Sequence, residues 1–188
     1  MMCLSLLRTD IARYKALKPK MNTVYLLLTT QGLWAISQYR FNHWVHTSVR
    51  IPGVRHLLRA LGTVWYKLTQ ILAGIDLPKE TRVGKGLYIG HFGGIVINRR
   101  AILGDYVTLN QGVTIGISGR GEQRGAPVLG DKVFMGPGAV ALGKITIGNN
   151  VAIGANAVVT KDLPDNAVAG GIPARVLNLN GADDYIVL

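Results

Sequence analysis

The chain has 188 residues, 48% of them apolar, with mean hydropathy +0.26 and a formal net charge of +11. That apolar content excludes a disordered chain, the single Cys3 excludes a disulfide framework within one chain, and no His/Cys/acid cluster has metal-ligand spacing, so no metal is expected. The charge is uneven: residues 1–74 hold ten Lys or Arg against Asp10 alone, net +9, while residues 75–188 hold eleven against nine acidic residues, net +2.

The first 74 residues read as helices. Leu4, Leu7, Ile11, Tyr14 and Leu17 have helical spacing over 4–17, and Lys18-Pro19-Lys20 stops the run. Asn22 is the expected N-cap of a longer helix reaching His46. Its uncharged part, Met21 to Tyr39, is 19 residues long but carries Asn22, three Thr, Gln31, Gly32, Ser37 and Gln38. A spanning helix needs about 20 predominantly apolar residues, so a packed or interfacial helix is expected instead. After Pro52-Gly53, a third helix over 54–72 gathers Leu57, Leu58, Leu61, Val64, Trp65, Leu68, Ile71 and Leu72 on one broad apolar face, with Arg55, Arg59 and Lys67 beside it. Arg8, Asp10, Arg13 and Lys15 interrupt the first apolar run and no small-residue cleavage site follows, so a cytoplasmic location is expected. A basic, aromatic-bearing segment of this kind also suits peripheral contact with an anionic membrane. No nucleic-acid motif accompanies it, so no nucleic-acid partner is expected.

From Val83 onward an aliphatic residue followed by Gly returns at multiples of six. The pairs are Val83-Gly84, Ile89-Gly90, Leu103-Gly104, Ile115-Gly116, Leu129-Gly130, Met135-Gly136, Ile147-Gly148 and Ile153-Gly154, spaced by 6, 14, 12, 14, 6, 12 and 6. A fixed six-residue period is neither helical nor alternating; it marks a solenoid of short strands and tight corners, each aliphatic residue pointing inward. The period breaks between Ile89 and Leu103 and between Ile115 and Leu129, which predicts two extruded loops.

The run Val133 to Val159, "VFMGPGAVALGKITIGNNVAIGANAVV", closed by Gly171-Ile172-Pro173-Ala174-Arg175, resembles the hexapeptide-repeat acyltransferases. The resemblance implies a mainly β protein: a left-handed parallel β-helix over 75–176, preceded by a small basic α-helical region over 1–74 and followed by a tail over 177–188. It also implies a homotrimer with acetyl-CoA lying between subunits. Gly136, Pro137, Gly138 and Ala155 match positions where the family lets the pantetheine arm pass close to the backbone. Lys161 and Arg175 are candidates for the coenzyme's phosphates, and surface solubility accounts for either equally well.

Of four histidines only His91 lies in the solenoid, at the first break in the period, and Asp76 lies fifteen residues upstream. One coil takes about 18 residues, so the two fall on neighbouring coils. A carboxylate that accepts from one imidazole nitrogen leaves the other as a general base. A corner His capping a turn, with Asp76 as a cap, is the alternative account. Gln38-Tyr39-Arg40-Phe41-Asn42-His43-Trp44, Asp10-Ile11 with Lys18-Pro19, and the Asp-x14-His spacing are similar to serine O-acetyltransferase. By that resemblance His91 and Asp76 are the catalytic pair, and the loop Ser118 to Pro127 closes over acceptor and coenzyme.

The chain departs from that enzyme at the acceptor. The family's Asp before the catalytic His, its Arg-His pair in the loop and its Asp in the upstream helical stretch are Gly90, Gly125-Ala126 and Lys18 here. Each charge-assisted bond so lost is worth about 1.5–3 kcal/mol. A different hydroxyl is therefore expected, a sugar of a surface polysaccharide, with serine as the alternative acceptor and a non-catalytic trimeric scaffold as an alternative of another class. A metal-dependent hydratase would need several His ligands that the repeats lack. The large Met135 and Pro137 leave no obvious cavity for a long acyl chain.

Overall fold

The computed structural model describes residues 2–187, without the side chains of Met2, Cys3 and Gln123. The single Cys3 thus has its side chain outside the described ones. Four helices come first: α1 (Met2–Leu17), α2 (Thr23–Thr29), α3 (Gln31–Thr47) and α4 (Pro52–Ala73). Asn22 caps α2, its side chain accepting from the amides of Val24 and Tyr25.

The single helix expected from 22 to 46 is two. Thr30 is extended at φ −108°, ψ 103°, and it ends α2 and starts α3. Thr29 and Thr30 are β-branched and lower helix propensity there, and the Trp34 indole N–H covers the Leu27 carbonyl at 2.8 Å. Gly74 then closes α4 in the left-handed conformation at φ 61°.

The rest is a three-sided prism. One face stacks β1 (Ile75–Asp76), β4 (Ile95–Ile97), β7 (Thr114–Gly116), β10 (Val140–Leu142) and β13 (Val158–Val159) in parallel. The second stacks β2 (Arg82–Val83), β5 (Ile102–Leu103), β8 (Val128–Leu129) and β11 (Thr146–Ile147). The third stacks β3 (Tyr88–Ile89), β6 (Thr108–Leu109), β9 (Phe134–Met135), β12 (Ala152–Ile153) and β14 (Val168–Gly171), and β15 (Ala174–Asn178) closes it antiparallel.

Register gives the coil length directly. Val140 pairs with Val158, eighteen residues on, whereas Ile75 pairs with Ile95, twenty on, and Ile102 with Val128, twenty-six on. The first expected loop is therefore only a corner widened by two residues; the second is a genuine excursion of eight, pinned at its neck by paired backbone bonds between Ser118 and Gly125. The repeat residues Ile97, Ile115, Ala141 and Val159, with Leu103, Leu129 and Ile147 and with Ile89, Leu109, Met135 and Ile153, are all buried inside the prism. Glycine at 84, 104 and 130 follows from close approach, since a Cβ at Gly104 would stand 2.5 Å from the carbonyl carbon of Gly130. Beside that column a side-chain ladder descends: Asp105 accepts from the Lys85 amide, Asp131 from Asp105, Asn149 from Asp131 and Asp165 from Asn149.

Helices α1 and α3 are bolted to the first coil by polar side chains. Asp10, fully buried, accepts from Arg40 Nε and Nη2 at 2.9 and 3.1 Å and from the Leu87 amide at 2.9 Å. Arg40 also donates to the Val83 and Gly84 carbonyls. Arg13 donates to Gly86, Val107, Thr108 and the carbonyl of Val187, which brings Val187 against α1. Tyr14 donates to the Ile89 carbonyl and accepts from its amide. Burial pushes the Asp10 carboxyl and the Tyr14 phenol up, and lowers Arg13 to about 10.

Helix α4 turns its broad apolar face outward. Its buried residues are Gly62, Thr69 and Ala73, while Val54, Leu57, Leu61, Val64, Trp65, Leu68, Ile71 and Leu72 face outward. The narrow polar-and-small edge packs on α3 because Asn42 donates to the Gly62 carbonyl at 2.9 Å, and only glycine leaves room for that side chain. Among the described residues no helix is long and apolar enough to cross a membrane.

Candidate active site

The edge between the third and first faces carries five of the eight expected site residues: His91, Gly136, Pro137, Gly138 and Ala155. Successive coils turn there through residues 90–94, 110–113, 136–139 and 154–157, and backbone bonds of 2.8 Å join them: Gly112 to Gly93, Gly138 to Gln111, and Asn156 to Pro137. His91 stands at the top of this edge, exposed and without a hydrogen bond among the described residues. Pro137 and Ala155 are exposed further down the same edge, and Gly136 and Gly138 hold the turn between them. A Cβ at Gly136 would lie 2.9 Å from the Ala155 amide nitrogen, so the two corners pass at backbone distance.

Lys161 and Arg175 lie elsewhere. Lys161 follows β13 on the next edge, and Arg175 sits exposed in β15 opposite Gly170. Met135 points into the prism and is fully buried, so it cannot limit an acyl chain outside; of the two residues expected to do so only Pro137 is placed for it.

Asp76 occupies the outer side of the first face, paired with Val96, five residues after His91. It shares an open cavity of about 390 Å³ with Tyr66, Pro78, Val96, Asn98 and Arg99. Within one chain no hydrogen bond or ion pair joins Asp76 to His91. Asp76 Oδ1 instead accepts from the Tyr66 hydroxyl, and burial, then the carboxylate, pushes that phenol well above the usual tyrosine range. The excursion at 118–125 leaves the far edge of the same face, so His91 and the loop flank the cavity from its two sides.

The helical motif holds the scaffold together. The Tyr39 hydroxyl donates to Thr81, His43 Nδ1 meets the Lys79 carbonyl at 2.7 Å, and Arg40 carries the buried pair with Asp10. These residues hold the segment 79–84, between Asp76 and His91, against the helices.

Residues 126–161 match the family described as Bacterial transferase hexapeptide (six repeats). The chain is 37% identical over 175 residues to the serine acetyltransferase of Mycobacterium tuberculosis, covering 93% of this chain and 73% of that one. It is 38% identical over 160 residues to that of Synechococcus elongatus, covering 85% of this chain but only 62% of the relative. The chain belongs to the serine acetyltransferase branch of the hexapeptide-repeat transferases. Its fold superposes on the Neisseria gonorrhoeae serine acetyltransferase in complex with serine with TM-score 0.78 at 29% identity, covering 94% of this chain and 69% of that one. On the Brucella abortus serine acetyltransferase in complex with coenzyme A the TM-score is 0.80 at 28% identity, covering 94% and 68%. With the family comes the hand of the coil, which is left-handed.

Two of the departures from this branch are now physical. Gly90 has no positive φ, and a Cβ there would stand 2.8 Å from Asn110 Oδ1 and in ordinary contact with the Tyr88 ring at 3.4 Å, so a longer residue requires Asn110, which donates to the Met135 carbonyl, to shift. Gly125 is different: a Cβ would stand 2.6 Å from Lys144 Cβ and 3.1 Å from its Cα, so the loop lies too close to the coil for an arginine. Lys18 stands just past the C-terminal end of α1. What sequence reasoning missed is Tyr66, since a ten-residue separation across a helix-to-strand junction carries no periodic signal.

Proposed function

We propose that this protein is an acetyl-CoA-dependent O-acetyltransferase in which His91 is the general base and Asp76 its carboxylate partner. The observation that carries the reading is the shared edge: an unbonded imidazole at 91 stands in line with the glycine-lined corners at 136–138 and 155, and Asp76 opens the cavity on the adjoining face. His91 takes the proton of an acceptor hydroxyl as its oxygen attacks the thioester carbonyl, and a backbone N–H stabilises the resulting oxyanion. The carbon–sulfur bond then breaks, and the coenzyme leaves as a thiol carrying the proton that His91 returns. The branch to which the chain belongs favours L-serine as the acceptor.

A specific observation supports a second acceptor. Gly90 carries no charge, and Gly125 cannot be lengthened against Lys144, so the groups that would clamp an amino acid are absent. A sugar hydroxyl suits such a site; this reading rests on the residues alone and draws nothing from the relatives.

The two are separated by thiol release from acetyl-CoA with L-serine and with a panel of sugars, for wild type and His91→Ala. Serine turnover lost in His91→Ala supports the serine reading, and Gly90→Asp should then raise kcat/KM for serine. Sugar turnover without serine turnover supports the second. Silence with every acceptor, together with no binding of coenzyme A, returns the protein to a scaffold.

We further propose a homotrimer in which a second copy covers the outward face of α4. Along that helix Val54, Leu57, Leu61, Val64, Leu68 and Ile71 recur at alternating steps of three and four, the seam of a helix that packs on another helix. Phe92 and Val96 extend the exposed apolar surface beside the Asp76 cavity. An anionic bilayer is the competing occupant, and it would be revealed by co-sedimentation with phosphatidylserine vesicles that Leu61→Glu abolishes.

A further inference from the structure

Tyr66 has no part in the acid–base pair described above, yet it is the one side chain bonded to Asp76 among the described residues. Its ring stands between two cavities: the open one of about 390 Å³ around Asp76, and a smaller one of about 130 Å³ between α3, α4 and the first coil, lined by Gln38, Asn42, Gly62 and Glu80. Its hydroxyl is brought there by the helix register. Gly62, one turn earlier, is locked against Asn42, and the chain leaves α4 through Gly74, which packs on Gly93 and Gly94 of the corner that bears His91. The helix that delivers Tyr66 and the corner that delivers His91 are therefore fixed to each other. Burial keeps the phenol protonated far into the alkaline range, so it is a permanent donor.

Resting on the acetyltransferase reading, we propose that Tyr66 is a positioning residue: its hydroxyl ties down Asp76 Oδ1 and leaves Oδ2 as the oxygen that accepts from an imidazole N–H. A carboxylate with one oxygen tethered has lost its freedom to rotate, and so it offers the imidazole a single geometry. The same donation draws charge from the carboxylate. Without it, the carboxylate holds an imidazolium more tightly, and the base form is reached at higher pH. Helix α4 is thereby part of the catalytic scaffold, and the helical region sets the rate as well as the stability of the prism.

The test is the steady-state kinetics of Tyr66→Phe, which removes one oxygen atom and keeps the ring between the cavities, with acetyl-CoA and whichever of L-serine or the sugar panel wild type turns over. A charge-assisted hydrogen bond predicts that kcat falls about ten- to 150-fold, with KM for acetyl-CoA unchanged and the acid limb of kcat/KM moved to higher pH. Asp76→Asn and His91→Ala are run alongside. Loss of turnover in those two with wild-type kcat and an unmoved pH profile in Tyr66→Phe would overturn this inference alone. Undiminished turnover in Asp76→Asn and His91→Ala, or none by wild type with any acceptor, would overturn the functional reading and this inference with it. A fall in kcat with no movement of the acid limb would reduce Tyr66 to a packing residue.

Discussion

Replacing Asp10 by Ala tests whether the helical region and the first coil form one cooperative unit. Asp10 is fully buried and accepts three hydrogen bonds, two from Arg40 and one from the Leu87 amide. Removing it leaves that amide without its partner and takes from the buried Arg40 guanidinium the carboxylate it is paired with, the carbonyl contacts at Val83 and Gly84 remaining. Removing one partner of a buried ion pair costs about 3–5 kcal/mol. For a chain of this size that corresponds to a fall in Tm of about 6–20 °C. Asp10→Asn keeps an acceptor for the Leu87 amide and should lose less. Asp10→Met combined with Arg40→Met should lose less than Asp10→Ala, because no charge is left buried. Calorimetry at fixed protein concentration gives the Tm values, and thiol release well below the transition gives kcat. A Tm for Asp10→Ala within 1 °C of wild type would refute the reasoning, and a large fall in kcat at unchanged Tm would move Asp10 from the scaffold into the site.

Gly104→Ala should destabilise by about 1–3 kcal/mol in urea titration, because its Cβ would stand 2.5 Å from the Gly130 carbonyl and the coils cannot separate locally. Gly53→Ala, where a Cβ meets nothing, is the control and should be neutral or slightly stabilising. The Tyr39 phenol is raised from 10.0 to about 12, chiefly by burial, so its contribution is complete below pH 10 and is lost as pH rises from 10 to 12. Arg13, lowered to about 10, works in the opposite sense over the same range, so the test is the difference between wild type and Tyr39→Phe. That difference should shrink by about 2–3 kcal/mol between pH 10 and 12, and a constant difference would contradict a buried phenol. Leu61→Glu with Leu68→Glu should convert a trimer to monomers in sedimentation equilibrium, and an unchanged mass would show that α4 faces something other than a second copy.

The prism was legible in the sequence because its determinant is one-dimensional. An aliphatic residue every six positions, with glycine where successive coils touch, specifies an inward row whatever lies around it. For the same reason the breaks in the period located the widened corner at His91 and the excursion at 118–125. The Asn22 cap and the Gly74 stop were also readable, since a cap is settled by residues within one turn. What only the tertiary structure decided concerns choices between faces and partners. An apolar stripe on α4 announces that something covers it, but not which side packs on α3; that was settled by Gly62 and Asn42, a contact between residues twenty apart. Thr30 broke a continuous helical pattern, and across the break the Trp34 indole covers the Leu27 carbonyl. The bond from Tyr66 to Asp76 also belongs to the tertiary structure, because helix register, unlike spacing along the chain, determines which hydroxyl reaches a carboxylate.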